Sequence, residues 1–278
     1  MANIRVGLLA LLALAAGLSF AQQANLLLSW LLLLALIIGV AATAGQAITG
    51  LWRGALIDDR NVMSLSRMQL LLWTCVVLSG YMTYALARII QGLEHPLDIA
   101  LEPSLWALMG ISTGSLVGSP LILEGKKRIA ASLQQLEASK AALGEQQEAD
   151  PEDFTHQGQL ATNRSISSAR WSDMITGEEL DTAPHLDIAR LQMLFFTLIS
   201  VASFAVGLGH FFLVNAPGIY GAQALFPSPD ESLVALIGIS HGGYLTAKAV
   251  RRSPATPSLD SKPAEATAVE DEHVQAVG

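Results

Sequence analysis

The stretch LLLSWLLLLALIIGVAATAGQAITGL, residues 26–51, contains no Asp, Glu, Lys or Arg. An α-helix needs about 20 predominantly apolar residues to cross the hydrocarbon core of a bilayer, because that core does not solvate charge. The stretch exceeds this length and ends at Trp52 and Arg53. It therefore predicts a transmembrane helix over residues 24–52.

Further long apolar blocks, separated by charged segments, continue along the chain. Only 14% of the residues are charged and the mean hydropathy is +0.44, whereas an average soluble domain is about 25% charged. This distribution predicts an all-α, polytopic integral membrane helix bundle in a lipid bilayer. Four more spans are predicted, over residues 68–90, 105–123, 191–214 and 233–250.

Residues 1–21 allow two interpretations. Arg5, the apolar run 6–20 and small residues near its end are typical of a cleaved signal peptide. About 17 residues also just suffice to cross a bilayer, so a short first span is the alternative. The bundle has five spans if this segment is removed and six if it stays.

The basic residues predict the orientation, because cytoplasmic loops are enriched in lysine and arginine. Loops 91–104 and 215–232 contain neither residue. We therefore expect the other loops and the C-terminus to be cytoplasmic. Arg88 lies near the outer end of a span, where its side chain is expected to snorkel to the interface. The residues that mark the cytoplasmic side are Arg53, Arg60, Arg67, Lys126, Lys127, Arg128, Lys248, Arg251 and Arg252.

Residues 125–186 are predicted to form an acidic, partly helical cytoplasmic loop. The stretch 124–187 contains 12 acidic and 6 basic residues. Apolar side chains at helical spacing predict that a helix continues from the membrane into this loop; they are Ile129, Leu133, Leu136 and Leu143. The polar sequence that follows this helix, through Asp153, is expected to be flexible.

Two other parts of the polar sequence have distinct compositions. Residues 169–175, ARWSDMI, form a small island of larger apolar side chains. This island is expected either to lie on the membrane surface or to dock on the bundle. The tail 251–278 is rich in Pro, Ala and acidic residues, which predicts a disordered cytoplasmic segment.

An internal repeat relates two parts of the chain. SRMQLLLWT (66–74) aligns with ARLQMLFFT (189–197), and ALMGISTG (107–114) aligns with ALIGISHG (235–242). Each copy predicts a two-helix hairpin, so repeat unit 1 covers 58–124 and repeat unit 2 covers 187–250. Both hairpins run in the same direction. Parallel repeats occur in transporters, and they also arise when a structural hairpin is duplicated.

The doubled Arg-x-Gln and Gly-Ile-Ser-x-Gly pattern resembles that of uncharacterised bacterial inner-membrane proteins. The resemblance covers roughly residues 58–248. The resemblance implies a bacterial origin and a location in the inner (plasma) membrane. It does not imply a particular activity.

Small residues in the repeated helices suggest two roles. Lipid supplies no hydrophobic force between helices, so glycines that let backbones approach are typical of helix packing. These helices could instead line a narrow polar pathway for an ion or a solute. The packing candidates are Gly110, Gly114, Gly118, Gly238 and Gly242. The pathway candidates are His241, Ser240, Ser112, Thr113 and Tyr81.

His241 is predicted to lie near the middle of the last span. An ionisable side chain in a span is a functional candidate, and histidine can relay protons. The alternative is a neutral histidine hydrogen-bonded to a neighbouring hydroxyl, with Tyr81 and Thr83 as candidate partners. His210 is expected nearer the outer surface, which argues against a shared metal site.

Arg67 and Arg190 occupy equivalent positions in the two repeat units, each two residues before a glutamine. One interpretation is that they anchor the helices to lipid headgroups and mark the cytoplasmic side. The other is that both arginines flank one site and bind an anion or an acidic partner segment.

The composition and motifs argue against several functional classes. The formal net charge of −8 does not fit nucleic-acid binding. The single cysteine, Cys75, is expected to be a buried apolar residue, and no metal site or cofactor is expected. Nucleotide-binding, serine-hydrolase and metalloprotease motifs do not occur in the sequence. We therefore expect no enzymatic activity and no catalytic residues.

Two functions remain. The leading hypothesis is an inner-membrane scaffold that binds a cytoplasmic protein partner through residues 125–186. The alternative is a small channel or permease, lined by the Gly-Ile-Ser-x-Gly helices and formed by one chain or by a homo-oligomer.

Overall fold

The computed structural model describes residues 25–145, 152–214 and 226–250, together with Gly7 and Ala13. The predictions for residues 1–21 and 251–278 otherwise lie outside this description. The described helices are α1 (Leu26–Thr49), α2 (Leu65–Ile90), α3 (Pro103–Lys127), α4 (Leu133–Glu145), α5 (Ile188–Val214) and α6 (Glu231–Ala249). Among them, α1, α2, α3 and α5 are long and apolar enough to cross a membrane, as in a multi-pass membrane protein.

Five of these helices form a bundle. Helix α2 packs against α1, α3 and α5, while α6 packs against α3 and α5. We call the end of the bundle that carries Arg67, Lys126, Arg190 and Lys248 the basic end. The opposite half is filled by an apolar core in which aromatic rings from several helices meet, because large rings bury much area. This aromatic core includes Trp30, Trp73, Tyr84, Phe204, Phe212 and Phe226.

Arg88 does not snorkel. Its side chain is buried, and its Nε and Nη2 donate to the carbonyls of Pro96 (3.0 Å) and His95 (3.1 Å). The guanidinium thus holds the loop between α2 and α3 against the end of α2. Backbone carbonyls of the adjacent loop therefore act as hydrogen-bond acceptors for this cation.

The loop between α3 and α5 folds into a compact unit of mixed structure, which we call the loop module (128–187). It contains α4, a hairpin of β1 (Phe154–Gln157) and β2 (Leu160–Asn163), and short 3₁₀ turns. Phe154 pairs with Asn163 in the antiparallel register. The all-α expectation is therefore wrong at this hairpin. The module has its own apolar cluster, formed by Leu136, Leu143, Phe154, Ala161, Leu180 and Ala183.

The helix predicted to continue from the membrane is interrupted. Helix α3 ends at Lys127 and α4 begins at Leu133, because the turn of the hairpin docks on the end of α3. There the N–H of Gln159 donates to the carbonyl of Lys126 (3.2 Å). Within the stretch expected to be flexible, Asp153 belongs to the module, and residues 146–151 lie outside the described part.

The apolar island at 169–175 docks on the bundle, as one of the two interpretations predicted. Ala169 and Met174 pack with Met63 and Met193 in one buried cluster. Asp173 fixes this contact, since its Oδ2 accepts hydrogen bonds from the N–H groups of Met63 (3.1 Å) and Arg170 (2.8 Å). The module is thus joined to the start of α2.

Candidate functional site

Glu178 of the loop module lies at the basic end among three cations from different elements. Its Oε1 accepts hydrogen bonds from Lys248 Nζ (2.8 Å) and Arg60 Nη2 (3.0 Å), and Arg190 Nη2 lies 3.9 Å away. Lys248 ends α6, Arg60 precedes α2 and Arg190 is in the first turn of α5. One loop carboxylate therefore ties three parts of the bundle together.

The next residue, Glu179, extends the same contact to α3. Its Oε1 accepts a hydrogen bond from Lys126 Nζ at 2.6 Å, and both side chains are buried. Lys126 Nζ also donates to the carbonyl of Val250 (3.0 Å), just after α6. Two consecutive acidic residues thus connect the module to the ends of α3 and α6.

A tight turn before α2 orients Arg60. The carboxylate of Asp58 accepts from the N–H of Arg60 (2.9 Å) and from its Nε (3.0 Å) and Nη2 (2.8 Å). Asn61 follows with φ +58°, a left-handed conformation that asparagine tolerates better than most residues. On the other side, Arg190 donates through Nη1 to the carbonyl of Thr176.

We call these residues the ion-pair network; they are Asp58, Arg60, Lys126, Glu178, Glu179, Arg190 and Lys248. Burial alone would raise the pKa of Glu178, but the charges of Lys248, Arg190 and Arg60 outweigh it and hold that pKa well below its ordinary range. Burial alone would lower the pKa of Arg60, and Glu178 and Asp58 outweigh it and raise that pKa. Both groups therefore remain ionised at neutral pH.

A line of polar side chains leads from the network into the bundle along the contact of α3 and α6. Lys248 Nζ donates to Ser119 Oγ and to the Tyr244 hydroxyl (2.9 Å). Further in, Ser115 Oγ lies 2.6 Å from Nδ1 of His241. We call this line the polar seam; it comprises Ser112, Ser115, Ser119, Ser240, His241, Tyr244 and Lys248.

The polar seam continues as an apolar contact in the opposite half of the bundle. There the buried residues of α3 and α6 are Leu105, Leu108, Val234 and Ile237. At the inner end of the seam, Ser112 Oγ and His241 Nε2 are buried without a hydrogen-bond partner in the described part of the chain. The seam therefore keeps unused hydrogen-bonding capacity near its apolar end.

The predicted pathway residues are only partly brought together. Ser112, Ser240 and His241 are buried in the seam. A hydroxyl does lie next to His241, but it belongs to Ser115 rather than to Tyr81 or Thr83. Thr113 is exposed, because it lies on the face of α3 turned away from α6. Tyr81 packs against the aromatic core instead.

The glycines do not mediate close packing within one chain. A Cβ placed on Gly110, Gly114 or Gly242 would meet no atom within 4 Å. Gly118 and Gly238 make only ordinary contacts, with side-chain atoms of Leu245 (3.6 Å) and Ile111 (3.5 Å). Helix α3 turns its serine face toward α6, where Ser115 and Ser119 find hydrogen-bond partners, and Gly110 and Gly114 consequently point outward.

Arg67 and Arg190 do not flank one site. Arg190 belongs to the ion-pair network, whereas Arg67 Nη1 donates to the carbonyl of Ile57 (2.6 Å) and lines a cavity between α2 and α3. The two arginines line different cavities. Their equivalence in the repeat is lost because the loop module docks beside Arg190.

The most connected residues of the site were not selected from the sequence. The sequence analysis used Arg60, Lys126 and Lys248 only to predict the orientation. It counted Glu178 and Glu179 only as part of an acidic loop. Glu178 and Glu179 are consecutive in the sequence, but a charge count does not show which carboxylate contacts which cation. Buried charges need partners, so several cations at helix ends next to one acidic loop indicate that ion pairs form between the loop and the helices.

Cys75 is buried, and among the described residues no cluster of three or more His, Cys, Asp or Glu side chains is placed to hold a metal ion. Comparison of the chain with protein-family models, with curated protein sequences and with solved structures returned no match.

Proposed function

We propose that the chain is a non-enzymatic protein of the bacterial inner membrane that holds its loop module at the cytoplasmic surface and binds a protein partner through it. The observation that carries this proposal is the attachment of the module by Glu178 and Glu179 to the bundle. A module with its own core, fixed by buried ion pairs, presents one constant surface. Such a surface lowers the entropy cost of binding a partner.

The contacts between helices support a second part of this proposal, namely that the bundle contains two copies of one helix hairpin. Helices α2 and α3 contact each other, as do α5 and α6, and the equivalent helices of the two pairs also touch. In the proposed topology the basic end faces the cytoplasm, α6 crosses the membrane as well, and residues 1–21 decide between five and six spans.

A groove on the loop module is the surface that we assign to the partner. It is an open depression of about 600 Å³, lined by residues of α4, by Glu152 and by Arg164. The residues contributed by α4 include Glu137, Lys140 and Ala141. None of these belongs to the ion-pair network, so the groove can be altered without breaking the attachment of the module.

A site-specific cross-link tests the partner proposal. A photoreactive residue in place of Ala141 should capture one defined protein in cells. The double variant Glu137→Lys/Arg164→Glu should abolish that product, because it reverses two of the four charged side chains that line the groove. The matched control is Glu94→Lys, an exposed carboxylate in the loop between α2 and α3. Capture that is unchanged in the groove variant, or lost equally in the control, would refute the proposal.

The polar seam favours a second candidate, a proton or ion pathway. His241 Nε2, which has no hydrogen-bond partner among the described residues, supports it, whereas the apolar continuation of the seam opposes it. If a pathway exists, purified protein in liposomes should carry a proton or ion flux that His241→Ala removes and His210→Ala, at the exposed end of α5, leaves intact. Absence of flux for the unmodified chain would eliminate this candidate.

A further inference from the structure

A cavity of about 560 Å³ lies between α2 and α3 at the basic end. It borders the ion-pair network at Asp58, Arg60 and Lys248, but most of its wall belongs to other residues. The polar part of its lining includes Asp59, Ser64, Ser66, Arg67 and Lys127, and the apolar part includes Leu70, Leu71, Leu116, Pro120 and Leu123.

The cavity is amphipathic along the direction of the helices. Its lining on α2 runs from Ser66 to Thr74, which corresponds to about 12 Å along an α-helix. Charged groups lie at the basic end, and leucines line the deeper part that belongs to the apolar spans. This is the arrangement of a phospholipid, with a polar head above an acyl chain.

The polar part of the cavity is suited to an anion. Ser66 Oγ is buried and has no hydrogen-bond partner in the described part of the chain. It lies in the first turn of α2, whose N-terminus carries the positive end of the helix dipole. An incoming phosphate oxygen would accept the hydrogen bond that this hydroxyl can donate.

Among the described residues next to the cavity, Arg67 is the cation without an ion pair. Asp59 is paired with Lys127 (2.5 Å) and Asp58 with Arg60 (2.8 Å). Arg67 donates through Nη1 to a backbone carbonyl and forms no ion pair with any described residue. A guanidinium with unused donors is the group that best matches a phosphate, because it can bind two oxygens at once.

We propose that this cavity binds one anionic phospholipid. The lipid phosphate contacts the guanidinium of Arg67 and the hydroxyl of Ser66, and an acyl chain lies against Leu71 and Leu116. A free phosphate ion would use only the polar half and would leave the leucine wall hydrated. The apolar wall therefore favours a membrane lipid over a soluble anion.

Lipid binding can be measured directly on the full chain. The protein is reconstituted in phosphatidylcholine nanodiscs containing a small fraction of phosphatidylglycerol, extracted with mild detergent and analysed by native mass spectrometry. We expect one retained phosphatidylglycerol per chain and about tenfold weaker retention by Arg67→Gln, because a charged hydrogen-bonding partner is lost. Arg128→Gln, which removes an exposed cation after α3, is the matched control and should bind as the unmodified chain does.

A second variant separates the lipid from a soluble anion. Leu71→Trp fills the apolar wall and leaves Arg67 and Ser66 in place, so it should also reduce phosphatidylglycerol retention. Equal retention by the unmodified chain and Arg67→Gln, or no effect of Leu71→Trp, would overturn the proposal. So would inorganic phosphate that raises the melting temperature of the detergent-solubilised protein as much as phosphatidylglycerol does, since the site would then bind a free anion.

Discussion

Glu178→Gln is expected to lower the free energy of unfolding by about 3–5 kcal/mol, the usual cost of removing one partner from a buried ion pair. The amide keeps the shape of the side chain, but Lys248, Arg60 and Arg190 lose their shared negative charge. In a chain of this size the melting temperature should fall by roughly 10 °C. Denaturant titration and thermal unfolding of the detergent-solubilised protein measure both quantities.

An exposed carboxylate of the same module provides the control. Glu137→Gln removes an equal charge from α4, where its contact with Lys140 is at the surface, and it should change the stability by less than about 0.5 kcal/mol. Adding Lys248→Met to Glu178→Gln should restore part of the loss, because one unpaired cation is removed. Losses that simply add in the double variant would show that these two residues are not coupled.

The ion pairs of Glu178 should also make the stability of the protein depend on pH. The neighbouring cations lower the pKa of Glu178 in the folded chain below its value in the unfolded chain. Its stabilising contribution is therefore complete at neutral pH and is lost as the pH falls below about 4.3, the ordinary glutamate value. The difference in melting temperature between the unmodified chain and Glu178→Gln should shrink from pH 5 to pH 3. A constant difference would contradict the assigned ion pairs.

Gly158→Ala is expected to separate the hairpin from the end of α3. Gly158 has φ +57°, and a Cβ there would lie 2.2 Å from the carbonyl oxygen of Lys127. The backbone conformation alone costs a non-glycine residue about 1–2 kcal/mol, and relieving the overlap costs about 1–3 kcal/mol more. The total is about 2–5 kcal/mol. Limited proteolysis should then cleave the module faster at neutral pH.

Gly92→Ala is the matched control for the hairpin. Gly92 has a similar φ of +70°, yet a Cβ there would meet no atom within 4 Å. This variant should lose only the conformational part, about 1–2 kcal/mol, and should leave proteolysis of the module unchanged. Equal losses in the two variants would mean that the hairpin turn does not need its close approach to Lys127.

The apolar runs predicted well the four described helices that are long and apolar enough to cross a membrane, because hydrocarbon excludes charge over a known length. The run 26–51 corresponds to α1 (Leu26–Thr49), and the run 68–90 to α2 (Leu65–Ile90). The start of α2 is earlier because Ser64 caps it, its hydroxyl accepting the N–H of Arg67 (3.4 Å). Element boundaries depend on such local hydrogen bonds, whereas the existence of the helices depends on composition.

The candidate site was predicted far less well than the helices. His241 was identified because an ionisable group in an apolar run stands out, and Ser240 because it belongs to the repeated Gly-Ile-Ser-x-Gly pattern. Ser115, the partner of His241, was not chosen over Tyr81 or Thr83, since depth along separate helices does not reveal which faces meet. The prediction that glycines mediate helix packing was wrong for the same reason. Helix α3 directs its serines, and not Gly110 and Gly114, toward α6.

The sequence by itself determined that this chain forms several apolar helices and that the basic residues flanking these helices, with the exception of Arg88, lie at one end of them. Both properties follow from local composition, because the solvation of charge and of apolar side chains is decided residue by residue. Only the tertiary structure decided that the acidic loop folds and docks, and that Glu178 meets Arg60 and Lys248. These contacts join residues 118 and 70 positions apart. Such pairing depends on how the helices pack, which no local pattern specifies.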